Sequence, residues 1–458
     1  MPEGERTIAA ISTGAAPGGI GIVRISGPEA RAVADRVFRG RNGRKIAQMR
    51  GYTAALGGAY TAAGEKLDDV VALVFAAPKS YTGEDVVELS CHGGLYITRR
   101  LLQEVLAAGA SPAQPGEFTR RAFLNGKMDL TQAEAVMELI GAGGEQAARE
   151  AQAGSSGVLS QRVGAIREGL TGLGAHLAAW ADFPEEDVPA VENLALSRSL
   201  EHAAQELSRL LESFDVGKVY REGVRTVIAG RPNAGKSTLM NLLAGCQRSI
   251  VTQYAGTTRD VVEETVLLGG IPLRLADTAG LRDTDDPVES IGVAAARERV
   301  QTADLVLAVF DSSQELERED LELAESLSAI PAVAVVNKTD LPSKIDLEQV
   351  RKHFSHVACI SAASGEGLEE LQEEITALLG AGNFDPGAGM LFTERQRHHA
   401  RAALEALREA ENALALGMTL DAVTVCVEDA LNALYALTGE TASEEVVDQV
   451  FETFCVGK

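Results

Sequence analysis

Residues 230–237 read Gly-Arg-Pro-Asn-Ala-Gly-Lys-Ser, and this stretch decides the fold of the central part of the chain. It follows a β-like run, Val224–Ala229, and precedes an apolar helical pattern that starts at Thr238. A glycine-rich turn between a strand and a helix lets backbone N–H groups close on phosphate oxygens at the helix N-terminus. The sequence therefore predicts a phosphate-binding loop in which Lys236 reaches the β- and γ-phosphates and Ser237 ligates Mg²⁺.

A second motif, Asn337-Lys338-Thr339-Asp340, predicts that the bound base is guanine. The Asp340 carboxylate can accept hydrogen bonds from both N1–H and the exocyclic amine of guanine, a pair that adenine does not offer. Asn337 and Lys338 can brace the loop and cover the base, while Ser361-Ala362 can support the guanine edge through its backbone. Four residues alone make a weak signal, but downstream of a phosphate loop they are specific.

Two segments between these motifs have the residues of nucleotide switches. Asp277-Thr278-Ala279-Gly280 follows a strand-like run, so Asp277 can hold Mg²⁺ through water and Gly280 can donate its N–H to the γ-phosphate. Gly256-Thr257-Thr258 precedes this segment, and Thr258 is the expected switch ligand of Mg²⁺. The motifs occur in the order found in GTPases, so the sequence predicts a GTP-hydrolysing α/β domain.

Two residues narrow the expected mechanism. Leu281 follows Gly280, where Ras-like proteins place the glutamine that orients the attacking water, so another group must supply orientation and charge. Asn233 lies inside the phosphate loop, and with the Gly-Thr-Thr switch it suggests a monovalent cation that bridges the phosphates in place of an arginine finger. The alternative is that Asn233 is simply a turn residue.

Composition limits the other functions that the chain can have. A net charge of −24 argues against generic binding to nucleic acid or anionic membranes. Residues 1–128 nevertheless hold 16 Lys/Arg and 12 Asp/Glu, so a nucleic-acid contact is expected near this part or through a partner. Scattered cysteines without a CxxC pair indicate a reducing compartment. With no signal-like segment and no apolar run of about 18 residues, the sequence predicts a soluble cytoplasmic protein.

The pattern of apolar residues predicts a multidomain α/β chain. Short β-like runs predict an N-terminal α+β domain, and apolar residues at three- and four-residue steps predict helices on both sides of the phosphate-loop domain. Each flanking helical segment alone would leave an apolar stripe exposed, which favours one helical domain interrupted by a Ras-like parallel doubly wound sheet over two separate bundles. The predicted segments are 1–128 (α+β), 129–222 (helical), 223–381 (phosphate-loop domain) and 382–458 (helical).

Stretches across nearly all 458 residues resemble the MnmE (TrmE) family of bacterial and organellar tRNA-modification GTPases. The terminal Cys455-Val-Gly-Lys458, on a chain with these GTPase motifs, is the most specific of them. The others are Gly21-Ile-Val-Arg-Ile-Ser-Gly27, Tyr81-Thr-Gly-Glu-Asp85, Cys91-His-Gly-Gly94, Pro115-Gly-Glu-Phe-Thr119 and Arg121-Ala-Phe-Leu-Asn125.

The resemblance implies a specific activity. Members of this family are K⁺-activated GTPases that, with the flavin-containing partner MnmG, add a carboxymethylaminomethyl group at C5 of the wobble uridine of certain tRNAs. The resemblance also implies that the N-terminal domain binds a tetrahydrofolate derivative (5-formyl- or 5,10-methylene-tetrahydrofolate) as the one-carbon donor. The same domain would form a homodimer that joins MnmG in a heterotetramer, and the GTPase domains would meet across their switch faces when K⁺ and GTP are bound.

The resemblance also implies residue roles in the GTPase domain. Glu289 matches the family's catalytic glutamate and would orient the attacking water, although on sequence alone it would be taken for an exposed acid at a helix start. The metal ligands carried over are Ser237 and Thr258 for Mg²⁺, and Asn233, Thr252, Tyr254 and Thr257 for K⁺. The complete expected GTP-binding set is Asn233, Ala234, Gly235, Lys236, Ser237, Thr238, Thr252, Gln253, Tyr254, Ala255, Gly256, Thr257, Thr258, Asp277, Thr278, Ala279, Gly280, Asn337, Lys338, Asp340, Ser361 and Ala362.

Outside the GTPase domain, the resemblance implies a folate site and a reactive cysteine. Arg24, Glu88, Lys127 and Lys458 match the family's folate contacts, in which cations meet the glutamate tail and the carboxylate binds the pterin ring. Cys455 matches the cysteine that the family requires for modification, although a lone cysteine at such a position is usually inert.

Three residues depart from the family pattern. Ala363 replaces a common lysine next to the guanine edge, Tyr254 stands where an aliphatic residue is usual, and Cys91 stands where a glycine is usual before His-Gly-Gly. With Ala363 we expect weaker packing over guanine, and with Cys91 we expect a tighter nearby turn or folate pocket. A main-chain carbonyl ligand at Tyr254 should tolerate the change.

Two other function classes remain open at the level of sequence. A ribosome-assembly or signalling GTPase would act as a binding switch without modification chemistry, and it would favour a basic RNA-binding appendage. This chain has an acidic helical domain instead. A phosphate-loop kinase is disfavoured, because the Asn337–Asp340 motif would then have no purpose.

Overall fold

A computed structural model describes residues 6–182, 192–245, 264–275, 302–383 and 385–458. Their contacts group the chain into two compact units, one formed by Met1–Met137 with Leu431–Lys458 and the other by Glu138–Ala430. This division differs from the four segments predicted from sequence, because the last 28 residues group with the N-terminal region. None of the described helices combines the length and the apolar character needed to span a bilayer.

The first unit is built around a seven-stranded sheet with the order β3-β4-β5-β6-β2-β1-β7. Neighbouring strands are antiparallel except β1 and β7, which are parallel. Residues Val70–Val74 of β5 alternate between buried and more exposed positions, as expected for a strand with one face on the core. The strands are β1 (Ile8–Ile11), β2 (Ile20–Ser26), β3 (Phe38–Gly40), β4 (Thr53–Tyr60), β5 (Lys66–Phe75), β6 (Val86–His92) and β7 (Ser111–Pro112).

Helices cover one face of this sheet. The core between them contains Val23 and Ile25 of β2, Leu89 of β6 and Leu101 and Val105 of the second helix, all 1% exposed or less. A smaller cluster joins residues near Leu130 to Phe451 and Phe454 from the far end of the chain. The helices whose residues build this unit are α1 (Ala30–Val37), α2 (Leu95–Ala107), α3 (Glu117–Leu124), α4 (Leu130–Gly141) and α14 (Glu444–Glu452).

Long helices make up part of the second unit. Along α7 the residues Leu196, Leu200, Ala203, Leu207, Leu210 and Phe214 are buried at alternating steps of four and three, which is the stripe of an amphipathic helix. This stripe faces α12, where small buried residues such as Ala400 and Ala403 allow close approach. These helices are α5 (Glu145–Ser155), α6 (Val158–Asp182), α7 (Asn193–Glu222), α12 (Glu394–Ala415) and α13 (Leu420–Thr438).

The second unit also contains a six-stranded sheet with the order β13-β12-β11-β8-β10-β9. All neighbours are parallel except β9 and β10. The predicted parallel sheet is confirmed, with an antiparallel edge strand added by a hairpin at Gly269-Gly270, where both φ angles are positive. The strands are β8 (Val224–Gly230), β9 (Glu264–Leu268), β10 (Ile271–Leu275), β11 (Leu305–Asp311), β12 (Ala332–Asn337) and β13 (Val357–Cys359).

Among the described residues, four helices accompany this sheet, and they explain why β11, one of its two central strands, is buried along its whole length. Every residue of β11 is buried, as in parallel sheets that are covered on both faces. Because the strands are parallel, the loops that follow β8, β11, β12 and β13 emerge at the same edge. The helices are α8 (Lys236–Gly245), α9 (Arg318–Ser326), α10 (Leu347–His353) and α11 (Leu368–Leu378).

A buried ion pair joins α5 to α7 in the second unit. Glu150 is 1% exposed, and its Oε1 accepts a hydrogen bond from Arg221. Arg221 also donates to the carbonyl oxygen of Phe392, whereas Glu150 Oε2 has no hydrogen-bond partner among the described residues. Burial therefore outweighs the attraction of Arg221 and raises the pKa of Glu150 to about 7.

We expect the stability of this unit to depend on pH through Glu150. The folded pKa lies above the ordinary value of 4.5, so the neutral carboxyl stabilises the fold at low pH and this stability is lost as pH rises towards 7. The variant Glu150→Gln keeps the neutral shape and should unfold at a higher temperature than the wild type at pH 8. The difference should be on the order of 3 kcal/mol or less and should shrink towards pH 5. Thermal unfolding followed across this pH range measures it.

Glu145→Gln is the matched control, because Glu145 lies on the same helix with its side chain 73% exposed. Its unfolding temperature should follow the wild type at each pH. A Glu150→Gln variant that also follows the wild type from pH 5 to pH 8 would contradict the raised pKa.

Candidate functional site

The phosphate loop lies between β8 and α8. Asn233 and Gly235 have φ angles of 60° and 99°, in the left-handed region that residues other than glycine rarely adopt. A Cβ on Gly235 would lie 2.1 Å from Asn337 Nδ2, so only glycine fits there. Ser237 and Thr238 are exposed in the first turn of α8, where a hydroxyl can ligate a cation held by phosphates.

Lys236 lies at the start of α8 and turns back over the loop. Its Nζ donates to the carbonyl oxygens of Gly230 at 3.0 Å and Arg231 at 2.7 Å. The ammonium group therefore lies against the loop backbone, within the turn that would surround a phosphate chain. The contact of Lys236 with the β- and γ-phosphates stays a prediction.

Asn337 connects the phosphate loop to the base motif. The residue is 2% exposed, and its Nδ2 donates to the carbonyl oxygen of Ala234 at 3.1 Å. Its Oδ1 accepts from the backbone N–H of Ala362 at 2.9 Å. One buried side chain thus holds three predicted site segments together, which matches the bracing role inferred from sequence.

Lys338 forms a second connection across the site. Its φ is 66°, and its Nζ donates to the carbonyl oxygen of Asn233 at 2.7 Å. The same Nζ lies 2.6 Å from Oδ2 of Asp311, the last residue of β11. Burial alone would raise the pKa of Asp311, but hydrogen bonds from Lys338 and Ser313 hold it below its ordinary value. The charged Asp311 carboxylate therefore holds Lys338 in position, and Lys338 in turn holds the phosphate loop.

Sequence reasoning missed Asp311 and also missed Arg231 in the loop. Arg231 pairs with Glu317 at 2.6 Å and with Asp320 at 2.9 Å, and these two acids form the capping box at the start of α9. An acid at the end of an apolar strand next to the phosphate loop was the available signal for Asp311. The Glu-x-x-Asp spacing before α9 was the signal for the partners of Arg231.

The predicted guanine edge is also assembled. Asp340 is exposed, and its Oδ1 accepts a hydrogen bond from the Ser361 hydroxyl at 2.7 Å. Ser361 itself is fully buried, so it fixes the carboxylate from beneath. Ala362 lies next to it and donates to Asn337, and the neighbouring Ala363 is exposed.

Part of the predicted nucleotide site lies outside the described residues. The phosphate loop and the base motif are described, so the structure brings together Asn233, Lys338, Asn337, Asp340 and the Ser361-Ala362 pair. The predicted residues outside the described ranges are Thr252, Gln253, Tyr254, Ala255, Gly256, Thr257, Thr258, Asp277, Thr278, Ala279, Gly280 and Glu289.

A second group of predicted residues meets in the first unit. Arg24 of β2 faces Glu88 of β6 across the sheet, and Arg24 Nε donates to Glu88 Oε1 at 2.8 Å. The Arg24 guanidinium also lies 5.9 Å from the ring centre of Tyr81 and 5.6 Å from that of Phe118. Phe118 is fully buried, whereas Tyr81 is 37% exposed. A largely buried ion pair beside an exposed aromatic ring can bind a planar polar ring by stacking and hydrogen bonds.

Residues 455–458 pack beside this pair. The backbone N–H groups of Gly116 and Phe118 donate to the carbonyl oxygens of Cys455 and Lys458, and Arg24 donates to that of Gly457 at 3.3 Å. The Gly457 φ is 98°, and a Cβ there would lie 2.2 Å from the Ile11 carbonyl oxygen. The peptide is therefore held in one register by the backbone of the sheet and of α3.

The side chain of Lys458 belongs to the same group of charges. Burial and the neighbouring Arg24 lower the pKa of the Lys458 ammonium, and Glu88 and Cys455 offset part of this effect. Arg24 and Glu88, which are far from Lys458 in sequence, thus lie close enough to shift the pKa of its ammonium group. Lys127 is exposed and donates instead to the carbonyl oxygen of Pro78 at 3.1 Å.

Cys91, which stands where the family usually has a glycine, lies away from the group of Arg24, Glu88 and Lys458. Cys91 is buried on the helix side of the sheet, where its Sγ donates to the carbonyl oxygen of Gly21 at 3.4 Å. Burial raises the pKa of the thiol. Glu88 lies three positions earlier on the same strand and therefore points to the opposite face.

Comparison with known proteins identifies two domain models of one family along the chain. The sequence model of the MnmE helical domain matches residues 130–455, and that of the GTP-binding protein TrmE N-terminus matches residues 7–127.

Three curated relatives match over nearly the full chain, and each is named tRNA modification GTPase MnmE. That of Symbiobacterium thermophilum is 47% identical and the match covers 99% of this chain and 100% of that protein. Those of Heliobacterium modesticaldum and Geobacter sulfurreducens are 45% and 43% identical, with 99% of each chain covered. The chain therefore belongs to the MnmE family of tRNA modification GTPases.

Proposed function

We propose that this GTPase is activated by K⁺ and, with an MnmG-type flavoprotein, drives carboxymethylaminomethyl addition at C5 of the wobble uridine of tRNA. A tetrahydrofolate derivative bound in the first unit would supply the one-carbon unit. The observation that carries this proposal is the packing of residues 455–458 against the Arg24–Glu88 pair. That packing places a thiol and a lysine beside a site suited to a planar ring, in a chain that also carries a GTP loop.

The folate assignment rests on the charges and rings of this group. Glu88 can accept hydrogen bonds from the amino-pterin edge, while Tyr81, which is 37% exposed, offers aromatic surface. Lys458 supplies positive charge for the carboxylates of the glutamate tail. Lys127 would reach the ligand from its exposed position. When bound, the folate would supply the one-carbon unit, and Cys455 is the neighbouring nucleophile.

The cation assignment rests on the geometry of the phosphate loop. The Lys338 hydrogen bond occupies the Asn233 carbonyl and fixes this residue in a left-handed turn. The Asn233 side-chain oxygen is a hard ligand of the kind that alkali cations prefer, and Thr252, Tyr254 and Thr257 would complete the K⁺ set. Ser237 and Thr258 would ligate Mg²⁺, and Glu289 would orient the attacking water.

The remaining proposals concern assembly. The helical-domain match begins before the six-stranded sheet and ends after it, which supports insertion of the GTPase segment 223–381 between helical segments 129–222 and 382–458. The N-terminal segment 1–128 would mediate a homodimer in the cytoplasm, and the dimer would join the flavoprotein in a heterotetramer.

GTP turnover should be faster in KCl than in NaCl at equal ionic strength. Acceleration by K⁺ of about tenfold or more corresponds to about 1.4 kcal/mol of barrier. Asn233→Gly removes the side-chain oxygen without a left-handed penalty and should abolish this difference, whereas Asn233→Asp should keep it. Steady-state phosphate release measures both rates.

Two outcomes decide the cation proposal. Glu289→Ala should slow turnover in both salts without changing the ratio between them, since it acts on water rather than on the cation. Equal slow rates of the wild type in KCl and NaCl would overturn K⁺ activation and favour a catalytic group supplied by a partner.

Asp340→Asn should change the base preference of the site. Loss of the carboxylate should weaken GTP binding by about ten- to a hundredfold, the cost of a charge-assisted hydrogen bond, and should favour xanthine nucleotides. Asp346→Asn is the matched control, because this exposed aspartate caps α10 without belonging to the base motif. Competition binding of GTP and XTP measures the shift, and unchanged GTP affinity in Asp340→Asn would refute the assignment.

Arg24→Gln should weaken binding of 5-formyl-tetrahydrofolate by about tenfold or more, because it removes a charged partner from the Glu88 and Lys458 group. Arg99→Gln changes an exposed arginine of the same unit and should bind folate normally.

Cys455→Ser should also bind folate and hydrolyse GTP, yet it should not support tRNA modification. Calorimetric titration measures folate binding by the three variants, and analysis of tRNA nucleosides measures modification. If Cys455→Ser still modified tRNA, Cys455 would have only a structural role.

A further inference from the structure

A short segment of the first unit concentrates positive charge. Residues 39–50 contain five Lys/Arg and no Asp/Glu, in a chain whose net charge is −24. All five side chains are exposed. This set is called the basic ridge and consists of Arg39, Arg41, Arg44, Lys45 and Arg50.

The backbone of the basic ridge is fixed rather than loose. Ile46 and Met49 are 0% and 2% exposed and anchor the segment in the core of the unit. The carboxylate of Asp35 accepts hydrogen bonds from the backbone N–H groups of Ile46 and Ala47, and Arg31 donates to the Met49 carbonyl oxygen at 2.9 Å. Asp35 is thus engaged with the backbone, so the cations project from a preorganised surface.

Few nearby groups neutralise the basic ridge. Arg41 lies 3.9 Å from Asp69, but both side chains are about half exposed or more, and Asp69 is closer to Lys66 at 2.9 Å. Such surface pairs contribute little. Arg39 lies 4.3 Å from the ring centre of Tyr60. Arg44, Lys45 and Arg50 have no ion-pair partner within the described ranges, so their charge is available to a ligand.

We propose that the basic ridge binds the phosphate backbone of the substrate tRNA. The inference rests on the tRNA substrate of the proposed function and adds where this chain holds it. Arginine side chains match phosphate oxygens in a two-point geometry, and several exposed cations on one anchored segment suit the closely spaced phosphates of a nucleic-acid backbone. Such contacts position an RNA without reading its sequence, so the ridge binds tRNA generally.

The basic ridge suits a membrane surface less well than it suits an RNA backbone. Interfacial segments insert apolar side chains between lipid head groups. The large apolar residues of this segment, Ile46 and Met49, are buried in the core of the unit instead. Tyr52 follows the ridge with 61% of its surface exposed and offers a ring on which a base can stack.

The test compares two triple variants of the full-length protein with the same net charge. Arg44→Gln/Lys45→Gln/Arg50→Gln alters the ridge, and the control Lys344→Gln/Arg351→Gln/Lys352→Gln alters exposed cations of the second unit. Filter binding of unmodified tRNA at about 50 to 200 mM KCl gives affinity and its salt dependence. The ridge variant should bind about tenfold more weakly or worse at low salt, with a log–log salt slope smaller by about two to three. The control should match the wild type.

A charge-conserving variant and a measurement of GTP turnover make the result decisive. Arg44→Lys/Arg50→Lys keeps the charge and should retain most of the affinity, and GTP turnover should be unchanged in every variant. Equal weakening in both triple variants would reveal a net-charge effect and overturn the ridge. Unchanged affinity in the ridge variant would also overturn it while leaving the proposed function standing.

Two results distinguish this inference from the function on which it rests. If the wild type does not bind tRNA at low salt, tRNA binding by the basic ridge is refuted. Nucleoside analysis still measures the modification activity separately. If the ridge variant loses binding to phosphatidylglycerol–phosphatidylcholine vesicles but keeps tRNA affinity, the surface is a lipid contact and the RNA inference is overturned.

Discussion

The hydrogen bond from Lys338 Nζ to the Asn233 carbonyl oxygen is the contact on which the nucleotide site depends. It joins the phosphate loop after β8 to the base motif after β12, and β11 lies between these two strands. Asp311, at the end of β11, completes the connection by pairing with the same lysine. Since both Asn233 and Lys338 have left-handed backbones, each strained residue stabilises the conformation of the other.

The two candidate sites use charge in different ways. In the second unit, carboxylates such as Asp311 and Asp320 hold cations of the site in place, and the exposed Asp340 is the proposed base contact. In the first unit, Glu88 pairs with Arg24 and also acts on Lys458, so two cations share this carboxylate. The first arrangement suits the proposed phosphate loop. The second leaves positive charge that the tail of the proposed folate ligand would need.

Local sequence signals predicted the fold well, and nonlocal pairings were beyond them. The phosphate loop and the β-like run before it, predicted at Val224–Ala229, lie where local patterns indicated, with the observed strand at Val224–Gly230. The buried Glu150–Arg221 pair could not be predicted from the sequence, because it depends on packing between distant elements. The antiparallel strand β9 was missed even though Gly269-Gly270 is a local hairpin signal.

The residues proposed to bind folate show the same limit. Family resemblance proposed Arg24, Glu88, Lys127 and Lys458 together, yet spacing alone gives no reason for residues hundreds of positions apart to meet. The structure places Arg24, Glu88 and Lys458 in one charge group and Lys127 on the carbonyl of Pro78. Only tertiary packing determines which members of such a set are neighbours.

The make-up of the first unit has a consequence for how the chain folds. Its sheet comes from residues before 138, but Leu431–Lys458 belong to the same compact unit. Contacts such as Ser12 with Gly457 close a loop of more than 400 residues, which is entropically slow to form. During synthesis, residues 138–430 are made before Leu431–Lys458 and can fold while the last 28 residues are still being added, since domains generally fold as units. The first unit is then completed last, so the group of Arg24, Glu88 and Lys458 can form only after the segment with the GTPase motifs has been synthesised.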